Sequence, residues 1–132
     1  AGALARMGAI IGGASHDNVL LVGSFFEEVA TAFQLVDDVK NLKGFEGNLK
    51  DLGEDLKHGK VTMPVVYALG RLSSAQERRA LWRGIAAKPQ STAEVQALCT
   101  VIDGCGAIDA CHADATSMAE EAWANLDAAL PE

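Results

Sequence analysis

The residues with the clearest chemical potential are two adjacent carboxylates, Asp37 and Asp38, near the end of a predicted helix. Gln34 lies one helical turn before them and Asn41 one turn after, so these side chains project from neighbouring positions. Adjacent carboxylates repel each other, and the negative end of the helix dipole adds to that cost. Because a divalent cation removes both penalties and Mg²⁺ prefers oxygen ligands, this helix end is a predicted magnesium site.

Positive charges follow in the segment from Lys43 to Lys60, which contains four glycines and no apolar period. Its composition predicts a mobile loop, or a loop with a short helical turn. Lys50 and Lys60 are compact cations that suit a diphosphate group. With a metal ion they would neutralise charge that builds up as a carbon–oxygen bond breaks. Taken singly, an Asp-Asp pair and a charged glycine loop are more often ordinary solvated surface.

The elements that position these residues are predicted to be helices. The 132-residue chain is 49% apolar and 5% aromatic with three prolines, a composition that favours helix over sheet. Asp17 is the expected cap of a long second helix, whose buried face is expected to comprise Val22, Phe25, Val29, Ala32 and Val36. Further helices are expected from near Pro64, after capping boxes at Ser73 or Ser74 and at Ser91, and from Ile108 to Leu130. No segment alternates as a strand would, so the predicted fold is all-α.

Charge and cysteine content exclude several classes of function. The net charge is −7, and no Lys or Arg follows Lys88, so the surface would repel nucleic acid. The three cysteines lack metal-site spacing and are expected to be reduced core residues of a cytoplasmic protein. We expect no signal peptide and no apolar segment long enough to cross a bilayer, and therefore no transmembrane segment.

A longer pattern resembles the trans-prenyl diphosphate synthases, the polyprenyl synthetase family that includes farnesyl and geranylgeranyl diphosphate synthases. The second aspartate-rich motif of that family follows a Phe-Gln pair, as Phe33-Gln34-Leu35-Val36-Asp37-Asp38-Val39-Lys40-Asn41 does here. The family's downstream pattern is matched by Lys50, Gly53, Asp55-Leu56 and Gly59-Lys60-Val61-Thr62-Met63-Pro64. The resemblance covers nearly the whole chain, and its central stretch is specific.

The resemblance implies an antiparallel helix bundle of the isoprenoid synthase type, of which residues 1–132 would be the C-terminal part of a single domain. It implies a short-chain prenyltransferase that condenses isopentenyl diphosphate with an allylic prenyl diphosphate and uses Mg²⁺. Asp37 would be the principal magnesium ligand, Asp38 would ligate directly or through water, and Asn41, the last residue of the motif, would be a further metal-binding residue. Lys50 and Lys60 would hold the allylic diphosphate. Phe33 and Gln34 would line the place where the two substrates meet.

The chain also departs from the family pattern. Asn41 replaces the motif's last aspartate, as in geranylgeranyl-type members, and the first aspartate-rich motif is absent. The chain opens on an uncapped apolar stripe that contains Leu4, Met7, Ile10 and Ile11. We therefore expect a missing N-terminal half or a second polypeptide to pack there. We also expect a homodimer in the intact protein. A terpene cyclase on the same fold and a non-catalytic partner subunit of a synthase remain alternatives.

Overall fold

The computed structural model describes residues 1–43 and 52–130, and all elements below belong to these ranges. They contain the helices α1 (Gly2–Ile11), α2 (His16–Lys43), α3 (Glu54–Lys57), α4 (Met63–Arg71), α5 (Ala75–Ala86), α6 (Thr92–Gly104) and α7 (Ala107–Ala129). No strand occurs in these ranges, and the predicted all-α fold is confirmed. The segment from Lys43 to Lys60 was expected to be a mobile loop or a loop with a short helical turn. The short α3 is such a helical turn.

Local sequence signals set most helix boundaries. Ser74 and Ser91 each begin a helix with a complete capping box. In these boxes the carboxylates of Glu77 and Glu94 accept a hydrogen bond from the backbone N–H of the cap residue. Pro64 lies in the first turn of α4, where its missing N–H has no helical partner to lose. These three predictions are confirmed.

The start of α2 and its buried face differ from the prediction. Ser15, rather than Asp17, accepts a hydrogen bond from the Asn18 N–H at 3.3 Å, and Asp17 lies inside the first turn. Of the expected buried face only Ala32 is fully buried. The fully buried apolar side chains of α2 are Val19, Ala32, Leu35, Val39 and Leu42. The buried stripe therefore lies beside the one expected, because it is set by the elements that pack on α2.

The first of two compact units comprises Ala1–Gln34 and the chain from Asp114 onwards. Within it, Arg6 of α1 forms an ion pair with Glu27 of α2 at 3.0 Å. The rings of Phe25 on α2 and Trp123 on α7 meet edge to face, with centroids 6.2 Å apart. Its buried apolar residues include Val19, Ala32, Ala115, Ala122 and Leu126.

The second unit, Leu35–Ala113, contains the end of α2, α3 to α6 and the start of α7. Helix α6 packs against α4 and α5. The core includes Leu56, Val65, Ile85, Ile102 and Ile108, each at most 2% exposed. Cys99 and Cys111 are buried, Cys105 is half-buried, and all three are free thiols, as expected. Burial raises the pKa of the Cys99 thiol, which keeps it in its neutral form.

Helix α2 is long and apolar enough to cross a bilayer by length and composition, so the expectation that no segment would reach this length is wrong. This is weak evidence for a membrane span, because the core helix of a soluble protein passes the same test. Glu27 and Glu28 lie in the middle of α2, where carboxylates are costly in hydrocarbon. These carboxylates weigh against a membrane span.

Candidate functional site

The two adjacent aspartates have different surroundings. Asp37 is exposed, and no hydrogen bond joins its carboxylate to another residue within 1–43 and 52–130. Asp38 is only 8% exposed and is the one buried charged residue of the described ranges. Successive residues of a helix point about 100° apart, so one side chain can face solvent while the next faces the core. Two identical residue types thus have one free and one engaged carboxylate.

Asp38 links α2 to α4. Its Oδ2 atom accepts a hydrogen bond from the N–H of Met63 at 3.2 Å. Met63 is the first residue of α4, and the preceding Thr62 makes no side-chain capping bond. A helix N-terminus has unpaired N–H groups and a positive dipole end, so a carboxylate from another element can cap it. Asp38 performs that role.

Asn41 links α2 to the turn before α3. Its backbone carbonyl accepts a hydrogen bond from the N–H of Gly53 at 2.8 Å. Its side-chain Oδ1 accepts another from the N–H of Asp55 at 3.2 Å. Gly53 has a φ of +65°, and a Cβ at this position would collide with the side chain of Val95. Glycine is therefore required for the close approach of this turn to α2 and α6.

Lys60 is held by Asp55. The Lys60 Nζ atom lies 2.8 Å from Asp55 Oδ1, and the Lys60 N–H donates to the Asp55 carbonyl at 2.9 Å. The hydrogen bond and charge of Asp55 raise the pKa of Lys60 above its ordinary value, and the charges of Asp38 and Glu54 act in the same direction. The Lys60 side chain is 62% exposed. An ammonium group has three donors, and Asp55 is the acceptor of one of them within residues 1–43 and 52–130, which leaves donors for an anionic ligand.

The other predicted residues are not brought into this cluster. Lys50 lies outside the described residues, and its role stays a prediction. Phe33, which is 71% exposed, and Gln34, which is exposed, lie on the part of α2 that belongs to the first unit. Their predicted place between two substrates also stays a prediction.

The carboxylates fit a magnesium ion that is bound partly by its substrate. Within the described residues no group of three or more His, Cys, Asp or Glu side chains could hold a metal. Mg²⁺, however, is usually bound through one or two carboxylates together with substrate phosphates and water. The exposed carboxylate of Asp37 meets that requirement. The oxygens of Asp38 and Asn41 already accept backbone hydrogen bonds, and their ligand roles stay predictions.

Sequence reasoning did not assign a role to Asp55. It was recognised as part of the downstream pattern, but its position five residues before Lys60 is not a helical pairing distance. The ion pair forms because the chain turns back after α3, where Gly59 has a φ of +70°. The positive φ favours glycine, so the Gly59-Lys60 pair was the available signal for this turn.

Comparisons with known proteins identify the family of this chain. Residues 2–102 match the family model described as polyprenyl synthetase. The chain is 31% identical over 109 residues to the all-trans-nonaprenyl-diphosphate synthase (geranyl-diphosphate specific) of Rhodobacter capsulatus, covering 82% of this chain and 32% of that protein. It is 36% identical over 95 residues to the geranylgeranyl diphosphate synthase of Mycobacterium tuberculosis, covering 70% and 27%.

A solved structure extends the likeness to the fold. The crystal structure of a polyprenyl synthase from Roseobacter denitrificans matches with a TM-score of 0.71 and 30% sequence identity, covering 96% of this chain and 40% of that one. The chain thus spans about a third of the length of the curated relatives that it matches. The fold is the all-α isoprenoid synthase fold. On the match over residues 2–102 and these identities, the chain belongs to the polyprenyl synthetase family.

Proposed function

We propose that the protein containing this chain condenses isopentenyl diphosphate with an allylic prenyl diphosphate. The observation that carries this proposal is the grouping in one unit of the exposed Asp37 carboxylate, the buried Asp38 and the exposed Lys60 ammonium. Negative and positive groups of these types suit a diphosphate and its accompanying cation. Family membership supports the same substrate class.

The residues support departure of an anionic leaving group. In the proposed reaction the allylic carbon–oxygen bond breaks and its electron pair leaves with the diphosphate. The double bond of isopentenyl diphosphate then forms the new carbon–carbon bond, and a proton is lost. Lys60, and Lys50 by resemblance, would bind the diphosphate and stabilise its developing charge. Asp37 and Asp38 would hold Mg²⁺, which would supply further charge neutralisation.

Further parts of the synthase are proposed to complete the site. Leu4, Met7, Ile10 and Ile11 on α1 are 58–85% exposed, which leaves a row of apolar side chains uncovered. Exposed apolar surface of this kind marks a missing partner. We propose that the remainder of a single isoprenoid synthase domain, on the same or a second polypeptide, covers it, and that the intact protein is a cytoplasmic homodimer.

The chain length of the prenyl product is part of what we propose. The relatives' names include a geranylgeranyl and a nonaprenyl diphosphate synthase, so the matched region is shared by enzymes named for products of different length. We retain the short-chain, farnesyl or geranylgeranyl type that the family resemblance implies.

An assay of the protein that combines this chain with the rest of the synthase domain tests the proposal. Isopentenyl diphosphate, an allylic diphosphate and Mg²⁺ are supplied, and prenyl products are identified by mass spectrometry. We expect magnesium-dependent elongated diphosphates, and their loss in Asp37→Asn, which keeps the size of the side chain. A hydrocarbon formed from the allylic diphosphate alone would instead identify a terpene cyclase. Activity seen only as stimulation of a separate synthase would identify a partner subunit.

A further inference from the structure

Asn41 makes contacts that suit a positioning residue. Its side-chain oxygen accepts the N–H of Asp55 in the first turn of α3, while its backbone carbonyl accepts the N–H of Gly53. The side chain is half-buried, so water competes only partly for this oxygen. Two hydrogen bonds from one residue thus fix the turn that precedes Lys60 against the end of α2.

Asp55 passes this constraint on to Lys60. Its carboxylate binds the Lys60 ammonium at 2.8 Å, and its carbonyl binds the Lys60 N–H at 2.9 Å. The Asp55 side chain is only 19% exposed, whereas that of Lys60 is 62% exposed. Asp55 therefore holds Lys60 at two points, with its carboxylate at the ammonium and its carbonyl at the backbone N–H, and the position of Asp55 sets the position of the cation.

The chemistry of an amide also favours this role over metal binding. The Asn41 oxygen carries no net charge, and one of its lone pairs is already directed at an N–H group. Mg²⁺ loses its water reluctantly and is held chiefly by carboxylates and phosphates. The exposed Asp37 offers such a carboxylate one helical turn away, with no hydrogen bond to another described residue.

We propose that Asn41 is a positioning residue that holds Asp55, and through it Lys60, in place for diphosphate binding, and that it is not a magnesium ligand. This inference rests on the proposed function, because it assigns Lys60 to the diphosphate. It departs from the metal role that the family resemblance implies for this position.

Hydrogen exchange in the intact protein tests the structural half. Asn41→Leu removes the acceptor at similar size, so exchange of the amide at Asp55 should quicken at least ~10-fold. The amide at Gly53 binds the backbone carbonyl of residue 41 and serves as the internal control, with a smaller change. Asn41→Asp keeps an acceptor and should keep the protection at Asp55. Unchanged protection at Asp55 in folded Asn41→Leu would overturn the inference.

Binding of inorganic diphosphate, measured by calorimetry at saturating Mg²⁺, tests the functional half. Asn41→Leu should weaken diphosphate binding by the parent roughly 5- to 10-fold, which corresponds to the loss of one hydrogen bond. The same substitution made in the Lys60→Ala variant should weaken binding less than about 2-fold. Fully additive effects of Asn41→Leu and Lys60→Ala would refute positioning. The half-saturating Mg²⁺ concentration should stay within about 2-fold in Asn41→Asp, whereas a ligand would bind Mg²⁺ far more tightly once it carried a charge.

The two proposals fail in different ways. If the parent protein binds no diphosphate in the presence of Mg²⁺, the proposed function is refuted, and the role of Asn41 toward Lys60 falls with it. If the parent binds diphosphate and Asn41→Asp lowers the half-saturating Mg²⁺ concentration ~10-fold or more, only the positioning role is refuted. The aspartate variant decides this even if Asn41→Leu does not fold.

Discussion

The buried carboxylate of Asp38 accepts a hydrogen bond from the N–H of Met63, 25 positions along the chain, at 3.2 Å. This bond joins the aspartate motif on α2 to the first residue of α4. Asp38 therefore contributes to the packing of two helices, whereas its neighbour Asp37 is exposed. Because the two residues have the same side chain, paired substitutions can separate stability from catalysis.

Asp38→Ala should destabilise the protein by about 1–3 kcal/mol, because it leaves the N–H of Met63 without its partner in a partly buried place. Asp37→Ala makes the same chemical change at an exposed position and should alter the free energy of unfolding by less than about 0.5 kcal/mol. Urea unfolding of both variants measures the difference. Equal losses of stability would show that the hydrogen bond of Asp38 contributes nothing.

Asp37→Ala should lower kcat by at least ~10²-fold in the intact protein, the scale of removing one electrostatic stabiliser of a developing charge. The exposed position means that the variant should fold as the parent does, so the loss reports on chemistry. Steady-state kinetics at saturating Mg²⁺ measures it. Turnover within a few-fold of the parent would remove Asp37 from the site.

Gly53→Ala should destabilise the protein by more than about 1 kcal/mol, since alanine is strained at a φ of +65° and its Cβ would meet Val95. Gly70→Ala is the matched control. Gly70 lies within α4 with open space around its Cα, so alanine there should be neutral or stabilising by up to about 1 kcal/mol. Thermal unfolding of both variants tests the pair, and a stable Gly53→Ala protein would contradict the close packing of this turn.

The capping box of α6 should make stability depend on pH. Hydrogen bonds from the Ser91 hydroxyl and N–H lower the pKa of Glu94 below its ordinary value of 4.5. A lowered folded-state pKa contributes stability above the unfolded value, and that contribution is lost as pH falls through the folded value. The Tm of the parent should therefore exceed that of Glu94→Gln at pH 7, and the gap should narrow as the Glu94 carboxylate is protonated at acidic pH.

Ser91→Ala supplies the control for this pH dependence. It removes the hydroxyl that donates to Glu94 at 2.8 Å. The Tm difference between Ser91→Ala and the Ser91→Ala, Glu94→Gln double variant should therefore vary less with pH than the difference between the parent and Glu94→Gln. A gap between the parent and Glu94→Gln that showed no dependence on pH across the acid titration would contradict the contribution of the ionised Glu94 carboxylate.

Residues 1–132 alone should not sustain prenyl transfer. One Asp-Asp pair supplies only part of the charge that the departing diphosphate requires, and the stripe of Leu4, Met7, Ile10 and Ile11 on α1 is exposed. We expect self-association in analytical ultracentrifugation and no turnover with isopentenyl diphosphate, an allylic diphosphate and Mg²⁺. Sustained turnover by a well-folded monomer would refute this expectation.

Local signals in the sequence were sufficient for the fold class and the family. The capping boxes at Ser74 and Ser91 and the position of Pro64 in the first turn of α4 depend on neighbours within one helical turn. The motif that contains Asp37 and Asp38 is likewise contiguous. Such features are encoded by residues close along the chain, and the structure agrees with them.

Tertiary structure decided which side chains of the motif are engaged. Asp38 is buried while Asp37 is exposed, Asn41 accepts from the N–H of Asp55, and Asp55 holds Lys60. Each of these relationships depends on the rotation of α2 about its axis and on where α3 and α4 dock against it. A helical period specifies neighbours on one helix but carries no information on which N–H group of another element will lie within 3.2 Å of a given oxygen. Packing between elements sets those distances.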